Sequence, residues 1–60
     1  MLKQINADLE HANQRIDEYT KQYDNEHDSI TRTCIDFNIQ YWRGRADALK
    51  QLLIETTVNI

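Results

Sequence analysis

The stretch DNEHDSIT, residues 24–31, separates two patterns of apolar residues. Asn, Asp and Ser are poor residues inside a helix. They are favoured in turns and at helix N-termini, where a side-chain oxygen accepts a hydrogen bond from a free backbone N–H. Asp28 or Ser29 is therefore expected to cap a helix that begins at about residue 30. The stretch predicts a turn at about residues 24–29, with one helix on each side.

Upstream of this turn, apolar residues recur at alternating steps of three and four, and the positions between them are mostly polar. This spacing is typical of a narrow coiled-coil seam on one helix. It predicts a first helix over about residues 2–23. The seam residues are Leu2, Ile5, Leu9, Ala12, Ile16, Tyr19 and Tyr23.

Downstream of the turn, a new seam begins, because extending the first one by sevens reaches polar positions such as Glu26, Gln40 and Asp47. The new seam predicts a second helix over about residues 30–57. Since residues 24–31 contain neither Gly nor Pro, one long helix with a stutter stays open as an alternative. The second seam consists of Ile35, Ile39, Trp42, Ala46, Leu49 and Leu53.

The two seams match when the helices are placed antiparallel. Leu2 faces Leu53 at one end, and Tyr19 faces Ile35 at the other. Every pair between them has residue numbers that add to 54 or 55, with Ala12 opposite the large Trp42. A constant register with large side chains opposite small ones favours an all-α, antiparallel αα-hairpin that forms a single domain over residues 1–60.

Composition limits the classes of function. A core drawn from 60 residues usually needs a disulfide, a metal or oligomerisation, and Cys34 is the only cysteine. A single cysteine and the lack of a signal-like apolar segment fit the cytoplasm, and no apolar run is long enough to cross a membrane. The net charge of −3, with cations scattered among acids, disfavours nucleic acid as a partner.

The second helix carries a further apolar stripe beside its seam. Together the two stripes span roughly 200° of its surface, about twice the arc of a simple surface helix. The first helix is too narrow to cover both, so a second copy is expected to cover the rest. The sequence predicts a homo-oligomer, with a homodimeric four-helix bundle favoured. This second stripe consists of Cys34, Phe37, Tyr41, Ala48 and Leu52.

Asn38 and Arg45 lie between the two stripes, one heptad apart. A polar residue inside a helical interface fixes register and oligomeric state, and Glu10 is a candidate partner for a buried Arg45. The alternative is a recognition patch for another protein, because Trp, Tyr and Arg are enriched at binding hot spots. The predicted interface residues are Cys34, Phe37, Asn38, Tyr41, Trp42, Arg45, Ala48 and Leu52.

Gly44 costs about 1 kcal/mol relative to Ala inside a helix. With Ala48 it forms a small-xxx-small notch on the edge of the second stripe. The notch is expected to let another helix approach closely.

No residue pattern indicates catalysis, a cofactor or a metal site. Cys34 is expected to be a buried, inert thiol, and His11 a solvated residue on the outer side of the first helix. His27 lies among acidic residues in the turn, but their spacing matches neither an EF-hand nor a zinc site. The sequence therefore predicts a protein that is not an enzyme.

The run YWRGRADALKQLL, residues 41–53, resembles the second helix of small phage-encoded helical-hairpin proteins. The shared pattern is an aromatic pair, a Gly, Ala-Leu and a Leu pair. The overall plan also resembles that of Rop-like plasmid copy-number regulators, although no RNA-contact residues match. The phage resemblance implies an accessory protein that acts in the host cytoplasm, where it binds and modulates a host protein, including in anti-defence roles.

Four functions follow as hypotheses, the fourth being an oligomer that sequesters a small ligand at a site formed only between chains. The first is a non-enzymatic protein-binding module that inhibits or redirects a larger partner. The second is a structural or assembly bundle, in which the oligomer itself is the function. The third is a Rop-like RNA-binding regulator, for which retention of RNA should weaken with salt.

Overall fold

Two helices account for the chain in the computed structural model, which describes residues 2–58. Helix α1 spans Leu2–Asn25 and helix α2 spans Ser29–Val58. They pack against each other along their length and form a rod of 48 × 14 × 12 Å. The all-α hairpin is thereby confirmed, and the turn is shorter than expected, at residues 26–28. The break after Asn25 excludes one continuous helix.

Side chains of the turn hold its backbone. Asp28 caps α2: its Oδ2 accepts hydrogen bonds from the backbone N–H of Thr31 at 2.9 Å and from the Thr31 hydroxyl at 2.7 Å. Glu26 Oε1 accepts from the backbone N–H groups of His27 and Asp28, both at 3.0 Å. Because these carboxylates satisfy donors that a helix end leaves free, the turn forms without Gly or a positive φ angle.

The hairpin seam, defined as the residues of α1 and α2 that face each other, contains the core. Five of its thirteen residues are buried, seven are half-buried, and Leu2, far from the turn, is exposed. Ala12 is 0% exposed and Ala46 is 2% exposed, so the two alanines of the seam are covered by the larger side chains around them. The buried residues are Ile5, Ala12, Ile35, Ile39 and Ala46.

Contacts across the seam agree with the predicted register. The Arg32 guanidinium lies 4.2 Å from the centre of the Tyr23 ring, near the turn. Farther along, the His11 and Trp42 rings meet edge to face with centroids 5.4 Å apart. Tyr19 and Tyr23 are half-buried, as expected for core and rim positions. His11 was expected to be solvated; it is exposed, but one edge of it packs on Trp42.

Candidate functional site

The surface that α1 leaves uncovered is one side of α2. The second stripe lies there, and all five of its residues are exposed in the single chain. Phe37 is 70% exposed, Tyr41 59% and Leu52 43%. Ile30 is 75% exposed one turn before Cys34 and extends the same line. We call this surface the outer face, made of Ile30, Cys34, Phe37, Tyr41, Gly44, Ala48 and Leu52.

Cys34 corrects one expectation. Its thiol was predicted to be buried, and it is exposed. The reason is geometric. The hairpin seam and the outer face lie about 130° apart around α2 at 100° per residue, so a single helix packed on one of them cannot shield the other.

Asn38 and Arg45 flank the outer face, and both are exposed. Asn38 Nδ2 donates to the backbone carbonyl of Cys34 at 3.1 Å, which holds the amide close to the helix. Arg45 is not bonded to Glu10. Within residues 2–58, the ion pairs are Arg15 with Glu18 at 3.0 Å and Lys21 with Asp17 at 3.4 Å.

Glu10 lies elsewhere on the hairpin. It lines a surface groove of about 530 Å³ on α1, together with residues that include Leu9 and Asp17. Only α1 residues line this groove, so it is a depression along one helix and not a cavity between helices. Glu10 and Arg45 lie at the same level of the hairpin, because their numbers add to 55, but the Glu10 side chain does not point toward Arg45.

Trp42 connects the hairpin seam to the outer face. It is half-buried, contacts His11 of α1 on one side and meets the Tyr41 ring edge to face on the other, with centroids 5.2 Å apart. Of the predicted interface residues, Trp42 is thus the one that also packs against α1. Tyr41 is held by this contact while most of its ring remains open to solvent.

Gly44 lies about halfway along the outer face, near one edge, with open space above it. A Cβ atom built on Gly44 would meet nothing within 4 Å. No contact within the described chain therefore requires glycine at this helical position, although glycine costs about 1 kcal/mol relative to alanine there. The gap borders Tyr41 on one side and Ala48 on the other.

Sequence reasoning missed three features of the molecule. Ile30 was not assigned to the second stripe, although its four-residue step to Cys34 was a usable signal. The Glu26 bonds to the turn and the stacking of Arg32 on Tyr23 were also not foreseen. The last two depend on side-chain rotamers, which spacing does not encode.

The chemistry of the remaining surface is limited. Among residues 2–58, no three His, Cys, Asp or Glu side chains are grouped so that they could hold a metal ion. Neither helix, over the residues described, has a stretch apolar and long enough to cross a membrane. Hydrogen bonds from the Thr31 hydroxyl, and then from the Thr31 backbone N–H, hold the pKa of the Asp28 carboxyl below its ordinary value.

Comparison with known proteins gives no family model, no curated protein and no solved structure that matches the chain. The outer face is thus described by its own residues alone.

Proposed function

We propose that the chain is a non-catalytic protein-binding module and that the outer face of α2 is its binding surface. The observation that carries this proposal is the exposure of Ile30, Phe37, Tyr41 and Leu52 along a single line of one helix. Scattered apolar residues are normal on a protein surface, whereas a contiguous apolar patch marks an interaction site.

The composition of the surface supports binding to protein. Tyr41 and the neighbouring Arg45 are of the residue types enriched at binding hot spots. Tyr41 is fixed on one side by Trp42, which lowers the entropy lost when a partner covers it. An apolar helical line of this kind fits against another helix or a hydrophobic groove, recognised through residues at steps of three and four.

The size of the hairpin core supports a protein that associates. Five buried residues are a small core, and two helices alone rarely fold without further burial. We therefore propose a homo-oligomer in which the outer face is covered, with a homodimeric four-helix bundle as the favoured assembly. Acting as a structural bundle is the second candidate function, and the regular spacing of the outer face favours it.

If the resemblance to phage-encoded hairpins reflects the biological setting, the partner is a host protein and the site of action is the host cytoplasm. The exposed Cys34 thiol suits such a reducing compartment. The protein would inhibit or redirect its partner by occupying a surface of it, without a chemical step.

An affinity experiment tests the binding surface. Wild-type chain, Tyr41→Ser and Arg43→Gln are immobilised and exposed to a bacterial lysate treated with nuclease. Arg43 is exposed but lies outside the outer face, so Arg43→Gln is the matched control. When the chains are immobilised far apart, so that they cannot cover each other's outer face, we expect one stoichiometric protein to be retained by wild type and Arg43→Gln and lost with Tyr41→Ser. Retention by all three would place binding elsewhere on the molecule.

Trp42→Ala is a poor probe of this surface, because Trp42 also packs against His11 of α1. Loss of binding in that variant could come from a destabilised hairpin or from an altered interface, and the experiment would not separate the two. Circular dichroism of Tyr41→Ser, which removes a ring that is 59% exposed, should show unchanged helix content.

A further inference from the structure

The outer face has the spacing of a coiled-coil seam. From Ile30 through Cys34, Phe37, Tyr41 and Gly44 to Ala48, the steps alternate between four and three. In coiled coils, the residues of such a seam insert between four residues of a facing helix. Helix α1 does not reach this side, so the seam lacks its facing helix within the chain.

Building on the proposed function, we infer that the occupant of the outer face is the same face of a second copy, packed antiparallel about a two-fold axis between residues 42 and 43. A two-fold axis applies the same patch twice, so the surface must complement itself. The outer face complements itself when the two copies of α2 run antiparallel.

In the antiparallel arrangement three large side chains of the outer face meet small ones, while Ile30, at the end of the interface, lies opposite Glu55. Tyr41 lies opposite Gly44 of the second copy, Phe37 opposite Ala48 and Cys34 opposite Leu52, with residue numbers that add to 85 or 86. The open space above Gly44 is then filled by the Tyr41 ring. Such alternation fills volume without voids, which close-packed interfaces require.

A parallel arrangement in register fails the same test. It stacks Phe37 on Phe37 and Tyr41 on Tyr41, and then leaves Gly44 facing Gly44 with a void between the helices. Side chains that line a void lose their dispersion contacts on that side. The position of the single glycine thus selects the antiparallel orientation.

Polar groups at the edges of the outer face complement each other in the same register. The Nδ2 of Asn38 donates a hydrogen bond to the Cys34 carbonyl, and its Oδ1 accepts no hydrogen bond within the described residues. Arg45 of the second copy comes beside it and can donate to that oxygen. On the other edge, Asp47 comes beside Gln40, so no two like charges face each other across the interface.

The exposed side chains supply a large part of the area that a dimer needs. The exposed fractions are 75% for Ile30, 70% for Phe37, 59% for Tyr41 and 43% for Leu52. At roughly 200 Å² for each fully exposed large side chain, these four contribute about 500 Å² per copy. The small residues and the polar edges bring the interface toward the roughly 800 Å² per partner of a stable complex.

Sedimentation equilibrium of wild type, Gly44→Gln and Arg43→Gln tests the interface. Because no neighbouring group among residues 2–58 lies within 4 Å of a Gly44 Cβ, Gln at this position fits the hairpin and should raise its helix content. In the dimer it occupies the space of the Tyr41 ring. We expect wild type and Arg43→Gln to dimerise, and the dissociation constant of Gly44→Gln to rise by about tenfold or more.

The native cysteine tests the orientation. Leu52→Cys adds a second thiol opposite Cys34 of the other copy, while within one helix the two thiols are about 27 Å apart at 1.5 Å per residue. We expect oxidised Leu52→Cys to run as a disulfide-linked dimer on a non-reducing gel. Wild type and the double variant Cys34→Ser/Leu52→Cys, each with one thiol per chain, should remain uncross-linked.

Each contrary result would overturn the antiparallel dimer but not the proposal that the outer face binds protein. Cross-linking of wild type through Cys34 would show the parallel arrangement. A wild type that stays monomeric, or a Gly44→Gln variant that dimerises as wild type does, would remove the second copy from the outer face. If the wild type is monomeric yet loses a captured protein on Tyr41→Ser, the proposed function stands and its partner is a different protein.

Discussion

Two surfaces of α2 carry apolar residues at the same spacing but differ in how far those residues are buried. On the hairpin seam, Ile35 and Ile39 are 9% and 6% exposed, whereas on the outer face Phe37, between them in sequence, is 70% exposed. Both surfaces have apolar residues at steps of three and four, and only one is covered. An apolar pattern in a sequence therefore predicts that a face will be buried, but not which chain buries it.

A buried charge in the hairpin seam should have the largest effect. Ala12 is 0% exposed against α2, and Ala7 is exposed on the same helix. We expect Ala12→Asp to destabilise the hairpin by about 3 kcal/mol or more, because an unpaired carboxylate would lose its hydration. Urea unfolding followed by circular dichroism measures this. Ala7→Asp, the control, should unfold at the wild-type midpoint, and similar losses in both would contradict the assigned seam.

Matched truncations on the two surfaces should separate folding from association. Ile39→Ala should cost about 2–4 kcal/mol in the free energy of unfolding, because it leaves a cavity between the helices. Phe37→Ala should change the stability of the dilute hairpin by less than about 0.5 kcal/mol, since its ring is exposed. Thermal melts at two protein concentrations test this. Equal losses for both at the lower concentration would show that the outer face is part of the hairpin core.

Gly44→Ala should act on the two surfaces in opposite directions. In the dilute hairpin it should raise the free energy of unfolding by up to about 1 kcal/mol, through the higher helix propensity of alanine. At high concentration the added methyl group narrows the space for a facing helix and should weaken association. The measurement is the dependence of the melting temperature on protein concentration, which should become shallower. A steeper dependence would contradict a close approach at Gly44.

The smallest effect is expected at the turn. Hydrogen bonds from Thr31 hold the pKa of Asp28 below its ordinary value of 3.8, so the carboxylate stabilises the folded state when it is charged. This contribution is fully present above about pH 4 and is lost as the pH falls through the lowered pKa of the folded chain. Asp28→Asn should flatten this part of the pH profile of the melting temperature. Thr31→Val, which removes the hydroxyl donor, should flatten it in part, and an unchanged profile in both variants would contradict the cap.

The hairpin could be predicted from the sequence because its information is local and periodic. The change of phase at residues 24–31 and the register of Ala12 with Trp42 needed only the spacing of residues. The contact of His11 with Trp42 could not be foreseen in this way, because a residue at the edge of a seam packs or faces water according to its rotamer. Register alone placed Glu10 at the height of Arg45, whereas the 100° step per residue puts Glu10 on the side of α1 that faces away from α2.

The candidate site was only partly predictable for a different reason. Spacing found Phe37, Tyr41 and Leu52, and the structure shows them uncovered by α1. Whether they become buried depends on a second molecule, and the apolar pattern of one chain does not identify that molecule. The expected burial of Cys34 failed on this point, since it assumed the covering partner.

Because the register is constant, the chain segment that joins two facing residues grows steadily with their distance from the turn. Near the turn, Tyr23 and Arg32 are nine positions apart in the chain, whereas at the other end Leu2 and Leu53 are joined only through almost the whole sequence. Closing a longer loop costs more chain entropy, so contacts far from the turn should form last and open first. Amide hydrogen exchange in the helix interiors should therefore be slower in the half of the rod nearer residues 26–28 than in the half nearer Leu2 and Leu53.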